Sequence, residues 1–208
     1  EGLIKEDIHW AVASKIPQSR GLKSSAAVSV AAIKSLCQAT DTELNDSEIV
    51  DLSSQAQLRA NVSITGSIDD SWACLTKGWK LIDANAEEIA DGVIMEGAGL
   101  NPDDWIVIIA LRDERENRPE LEDFAPLYNE FEKALLALQQ GEILNCLTIN
   151  GRAVCAVTND IQGRKISNDA FIYGARSSGL TGSGPAVVIV IPSLISSSAE
   201  RIKSTLSR

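Results

Sequence analysis

Apolar residues recur along this chain in several distinct rhythms. Residues 8–13 (I-H-W-A-V-A) form a β-rich run that leads to Pro17. After Gly21 the pattern changes abruptly: residues 24–40 carry Ala26, Ala27, Val28, Val30, Ala31, Ala32, Ile33, Leu36 and Cys37. A helix apolar on nearly every face is predicted there, of the kind buried inside a domain. A second helix is predicted from Asn45, which can cap it while Glu48 returns the bond, with Ile49, Leu52 and Ala56 along one face. Residues 65–70 (T-G-S-I-D-D) read as a turn, and residues 73–81 as a strand.

The polar, turn-forming residues 101–104 (N-P-D-D) are the best candidate boundary, giving domains of residues 1–102 and 103–208. Beyond it, residues 105–111 are a fully apolar strand. Leu121, Phe124, Tyr128, Phe131, Leu135 and Leu138 then recur in steps of three and four, predicting one amphipathic helix with a single buried seam that ends near Gly141. Residues 170–178 read as helix, 186–191 as a buried strand stopped by Pro192, and 199–206 as a closing helix. No internal repeat or low-complexity tract interrupts this order. The pattern is α+β or α/β in two compact halves.

Composition narrows the function classes. The 208 residues include 19 Lys and Arg against 29 Asp and Glu, a formal net charge of −10. Bulk charge of that sign repels phosphate backbones, so no nucleic-acid partner is expected. The longest apolar stretches, 105–111 and 186–191, are far too short to cross a bilayer, and no membrane partner is expected either. Cys37, Cys74, Cys146 and Cys155 form no C-x-x-C pair, and His9 is the only histidine, which argues against zinc. The cysteines read as reduced core residues of a cytoplasmic protein. No signal peptide is evident, and the start at Glu1 without Met suggests a fragment that lacks an N-terminal portion.

The chemistry concentrates in residues 17–27: Pro17, Gln18, Ser19, Arg20, Gly21, Leu22, Lys23, Ser24, Ser25, Ala26 and Ala27. Strand, glycine loop, paired hydroxyls and helix start follow in that order. A helix N-terminus offers unpaired N–H groups and partial positive charge, a seat for phosphate. Gly21 lets an anion approach the backbone, and Ser24 and Ser25 add hydroxyls that can reach phosphate or Mg²⁺. The spacing is not that of a Walker A loop, because Lys23 precedes the serines and no G-x-x-x-x-G-K-[ST] is present. A plain Ser-Ser cap after a glycine turn fits the same residues.

P-x-x-x-G-L-x-S-S-A-A resembles the ATP-binding motif of the galacto-, homoserine, mevalonate and phosphomevalonate (GHMP) kinase superfamily. Its fixed positions fall on Pro17, Gly21, Leu22, Ser24, Ser25, Ala26 and Ala27. A second superfamily motif, glycine-rich and followed by a strand, resembles residues 179–186, with Thr181, Gly182, Ser183 and Gly184 at its centre. Lys23 within G-L-K-S-S, and the T-G-x-x-D-D element of residues 65–70, resemble the archaeal-type shikimate kinase branch. Asn150-Gly151 adds a weaker likeness.

The resemblance implies a two-domain α+β GHMP kinase fold with a ferredoxin-like C-terminal domain, and ATP-dependent phosphorylation of a shikimate hydroxyl. ATP and Mg²⁺ are the implied cofactors. Residues 21–25 would cradle the phosphates, Ser24 would touch phosphate, and Ser25 would lie nearest Mg²⁺. Asp69 matches the general base and Asp70 its neighbour, with the reverse assignment open. A solvated turn is the plainer reading of this Asp-Asp pair. Several relatives draw a Mg²⁺-binding Glu from the preceding helix, whereas residues 53–60 (S-S-Q-A-Q-L-R-A) hold no acid. The run 112–118 is expected to be a solvated charged loop that could also supply a basic group to an anionic substrate. His9 and Trp10 are expected in core or adenine-side packing. Homoserine kinase, another small-metabolite GHMP kinase, and a nucleotide-binding relative without catalysis remain the alternatives.

Overall fold

A computed structural model describes residues 9–63, 65–113 and 119–206. Within it the chain packs as two units: Glu1–Pro17 with Lys23–Gly99, and Gln18–Leu22 with Leu100–Arg208. No helix among the described residues is long and apolar enough to cross a membrane.

The first unit is built on three helices. Helix α1 (Ser24–Thr40) and helix α2 (Asp46–Arg59) pack side by side, and both touch helix α3 (Ile68–Leu75). Asn45 and Glu48 form the expected capping box: the Asn45 side chain accepts from the Glu48 N–H at 3.0 Å, and the Asn45 N–H donates to the Glu48 carboxylate at 2.7 Å. Strands β1 (Trp79–Ile82) and β2 (Val93–Gly97) form an antiparallel pair with Trp79 opposite Gly97. Val50, Ile68 and Trp72 make the core, with Leu75, Ile82, Ile89 and Val93 packed around them.

Several expectations for this unit need correction. Residues 9–15 have no regular structure, and Trp10 and Val12 are exposed (residue 8 lies outside the described residues). Among the described residues no strand pairs with this run, and β-rich composition alone supplies no ladder. His9 is likewise exposed, not in a core. Helix α1 has the predicted ends, but it buries a stripe containing Ala26 and Val30 while Val28 is exposed, because α2 and α3 cover one side only. The buried face of α2 is not Ile49, Leu52 and Ala56. It is Ile49 and Val50 with Ser53, Ser54 and Gln57, while Leu52 and Ala56 face out. Residues 68–75 are helix, not turn and strand; the left-handed residues Gly66 and Ser67 lead straight into it, and acids in a first turn favour a helix start. Of the cysteines, Cys155 is buried and Cys74 is exposed, so the set is not uniformly core.

The second unit carries an antiparallel sheet in the order β3-β5-β4, formed by β3 (Trp105–Ala110), β4 (Ser177–Leu180) and β5 (Val187–Pro192). Ile108 pairs with Ile189, and Gly179 with Val188. Helices α5 (Ile143–Val157), α6 (Ile161–Ile172) and α7 (Ser196–Leu206) cover it, and α4 (Tyr128–Gln139) packs on α5. Ile108, Val154, Val187, Ile189, Ile191 and Ile202 lie in the core. The predicted continuous helix over 121–138 is broken: residues Leu121–Leu127 form a 3-10 turn containing Pro126, and α4 starts only at Tyr128. Leu121 and Tyr128 are exposed, and α4 buries Ala134, Ala137 and Leu138. The helix expected over 170–178 lies earlier, ending at Ile172, and Ser177 and Ser178 belong to β4.

Candidate active site

The N-terminal motif is split between the two units, and each part has its own packing. In the second unit, residues Gln18–Leu22 lie against the glycine-rich loop. The Ala186 N–H donates to the Arg20 carbonyl at 3.1 Å, and the Thr181 hydroxyl donates to the Gly21 carbonyl. Gly21 has a φ of +76°, and a Cβ there would sit 2.3 Å from the Gly184 oxygen. Only glycine meets both demands. Ser19 also has positive φ, at 56°.

Two basic residues brace this corner. Arg20 donates to the Arg112 carbonyl, and its guanidinium is 3.4 Å from Asp113. Arg112 forms a two-pronged pair with Asp160, at 2.6 and 2.8 Å, and donates to the Pro185 carbonyl at 3.1 Å. Burial pushes the Asp160 carboxyl up, but the Arg112 hydrogen bond, the Gly163 N–H and the Arg112 charge outweigh it and hold Asp160 below its ordinary value. Arg112 is therefore no member of a solvated charge run; residues 114–118 of that run lie outside the described residues. Asp160, which sequence reasoning missed, caps α6 by accepting from Gly163 N–H at 2.7 Å.

In the first unit, the motif continues into α1. No side chain caps that helix and no acid stands in its first turn, so its N-terminal N–H groups keep their affinity for an anion. The Ser25 hydroxyl donates to Gln57 Oε1 at 3.1 Å. Gln57 is fully buried, and its amide NH₂ also donates to the Gly66 carbonyl at 3.2 Å. Ser53 bridges Ser29 at 2.6 Å and Ser71 at 2.9 Å. This polar spine joins α1, α2 and α3 directly beneath the Asp-Asp element.

Asp69 and Asp70 stand in the first turn of α3 with different surroundings. Asp69 is exposed. Asp70 is buried, and the Lys23 Nζ lies 2.6 Å from its Oδ2. Burial, reinforced by the charge of Asp69, raises the Asp70 carboxyl above its ordinary value against the opposing pull of Lys23 and Ser67. A plain solvated turn does not describe this geometry at Asp70.

The structure thus brings together Lys23 with Asp70 and Ser25 with Gln57 in one unit, and Gly21 with Thr181 and Gly184 and Arg20 with Ala186 in the other. Pro17, Gln18 and Leu22 flank the loop, Ala26 is buried under the α1 start beside Ala27, and Gly182 and Ser183 form the exposed and half-buried tip of the glycine loop. Among the described residues no cluster of three or more His, Cys, Asp or Glu could hold a metal ion. The Ser25 hydroxyl donates its proton to Gln57 and keeps its oxygen lone pairs as acceptors, while Asp70 is held by Lys23.

Residues 2–78 match the family described as GHMP kinases N terminal domain. This stretch of the chain carries a GHMP kinase N-terminal domain. It is 29% identical over 185 residues to the shikimate kinase of Methanothermobacter thermautotrophicus, covering 84% of this chain and 60% of that protein. It is 30% identical over 144 residues to the shikimate kinase of Pyrococcus abyssi, covering 69% of this chain and 51% of that one. The chain therefore spans a little over half the length of these curated relatives. A solved mevalonate kinase superposes with a TM-score of 0.64 at 21% identity, over 93% of this chain and 63% of that structure, and shares its fold. The α+β architecture is that of the GHMP kinases.

Proposed function

We propose that this chain is the nucleotide-binding and phosphoryl-transfer part of a small-molecule kinase that phosphorylates a hydroxyl of shikimate. One observation carries the reading: the two features that distinguish the branch in sequence, Lys23 and the T-G-x-x-D-D element, meet as a 2.6 Å ion pair between Lys23 and Asp70. The shikimate kinase names of the relatives support the same substrate.

In this reading the backbone N–H groups of the 17–27 motif and the open start of α1 receive the phosphates of ATP. Ser24 contacts phosphate. Asp69, the exposed carboxylate, takes the proton of the substrate hydroxyl as its oxygen bonds to the γ-phosphorus and the bond to the ADP oxygen breaks. Mg²⁺ would come with ATP, with Ser25 the residue nearest to it, and would supply charge neutralisation at the phosphates.

An ADP-release assay on the full-length protein carrying this chain, with shikimate, homoserine and mevalonate offered separately, tests the proposal. Turnover with shikimate alone is expected. Turnover with homoserine and none with shikimate overturns the substrate assignment, and Mg-ATP binding without turnover on any of the three overturns the kinase reading.

A further inference from the structure

Lys23 occupies a backbone position that suits glycine. Its φ and ψ are 59° and 33°, in the left-handed region, where an L side chain crowds its own carbonyl. A chain that needed only the turn into α1 would be better served by glycine there. A strained residue held in place points to a task for its side chain. That task is visible at the other end of the side chain. The ammonium is 2.6 Å from Asp70 Oδ2, and the Asp70 side chain is 10% exposed while that of Lys23 is 36% exposed.

The pair joins two helix starts within the first unit, those of α1 and α3. Ser67, just before α3, is itself left-handed, with a φ of 50°. The entry to α3 is thus tightly bent, and Lys23 fastens it to α1 from the side. Asp69 is the neighbour of the fastened residue and points to solvent. Two adjacent carboxylates near a polyphosphate repel it and each other; with Asp70 matched to Lys23, the turn presents one net negative charge instead of two. Withdrawing the ammonium to bind phosphate would strand a buried carboxylate, which is the costlier arrangement.

We propose that Lys23 is a positioning residue: by holding Asp70 it fixes the first turn of α3 against the start of α1, so that the Asp69 carboxylate stands at a set place with its neighbour's charge matched. This deepens the kinase reading above and rests on it for its catalytic half. Lys23 acts on the acid and not on the nucleotide.

Lys23→Gly removes the ammonium while relieving the backbone, so a loss it causes comes from the missing ammonium and not from backbone strain. In the full-length protein kcat is expected to fall roughly 100-fold, as for a misplaced reacting group, while the KM for ATP stays within about threefold. Lys23→Arg, which keeps the charge, is expected to recover most of the lost kcat. A rise in the KM for ATP with kcat unchanged would make Lys23 a phosphate ligand and overturn the proposal, as would unchanged values of both. A melting-temperature cycle over Lys23→Met, Asp70→Asn and the double variant reads the pair without any activity. The double variant is expected to melt no lower than the less stable single variant. Simple addition of the two losses overturns the fastening role even if the protein proves not to be a kinase. Coupling in the melting cycle together with no turnover on any substrate would instead overturn the kinase reading and, with it, the catalytic half of the proposal.

Discussion

The Ser25 hydroxyl donates a 3.1 Å hydrogen bond to the Oε1 of Gln57, a side chain fully enclosed by α1, α2 and α3. The same amide donates to the carbonyl of Gly66, three residues before Asp69. One buried side chain therefore touches both the helix that begins within the 17–27 motif and the turn that launches the carboxylates. Its polar atoms have no water to turn to if a partner is lost. Gln57→Ala strands the Gly66 carbonyl and takes the acceptor from the Ser25 hydroxyl, and is expected to destabilise the fold by about 2 to 3 kcal/mol. Urea unfolding followed by circular dichroism checks the figure, and a loss under half of it would mean the network is replaced locally.

Exposure separates the two carboxylates of α3. Asp69 is open to an incoming hydroxyl, whereas Asp70 is covered and paired with Lys23. Asp69→Asn is therefore expected to lower kcat by about 100-fold or more, the usual worth of a positioned base, with ATP affinity nearly unchanged. Steady-state kinetics and titration with a fluorescent ATP analogue measure the two halves. Intact turnover in Asp69→Asn would move the base elsewhere.

The two perturbed carboxylates respond to acid in opposite senses. Asp160 is held below its ordinary value of 3.8, with the Arg112 hydrogen bond, the Gly163 N–H and the Arg112 charge overcoming its burial. A depressed carboxylate adds stability that is present above the unfolded value and is lost as the pH falls through the folded one. The advantage of the natural protein over Asp160→Asn should then shrink on acidification below about pH 4. Asp70 is raised, by burial and by Asp69 against the pull of Lys23 and Ser67. Its folded form holds the proton longer than the unfolded chain, so its contribution to stability declines as the pH rises above 3.8 and levels off beyond the folded value. Urea midpoints of Asp70→Asn and Asp160→Asn against the natural protein between about pH 3 and 7 should diverge in these opposite directions.

What could be read in advance was what is decided locally. The Asn45–Glu48 cap needs only a spacing of three, and the apolar runs that became β3 and β5 needed only their own residues. The 17–27 motif is likewise contiguous, so its helix start was legible to the residue. Contacts set by packing were not. Lys23 and Asp70 are 47 positions apart, and nothing at either end announces the other. On α2 the reading of apolar periodicity failed for a physical reason: its covered side is Ser53, Ser54 and Gln57, which satisfy one another and their neighbours, while Leu52 and Leu58 face out. A polar stripe at helical spacing was the available signal. The 121–138 seam failed because Pro126 interrupts a rhythm that the apolar residues alone continue.

Gly151 lies on α5 where that helix crosses β4, and its absence of a side chain sets how closely the two approach. A Cβ at Gly151 would fall 2.5 Å from the Gly179 Cα, and one at Gly179 would fall 2.7 Å from the Gly151 Cα. Both obstacles are backbone, so neither can swing aside as a flexible side chain would. The neighbours on α5, Ala153, Val154 and Cys155, are buried, and the strand behind is fully covered. Helix and sheet must separate to admit a methyl group, and contact is lost along the whole interface. Gly151→Ala is expected to destabilise the fold by about 2 to 3 kcal/mol through overpacking, with Gly179→Ala close behind. Combining them should cost less than the sum, because the first substitution already opens the gap that the second needs. Thermal unfolding of the two single variants and the double variant decides the matter, and strict additivity would show that the two glycines are not facing one another.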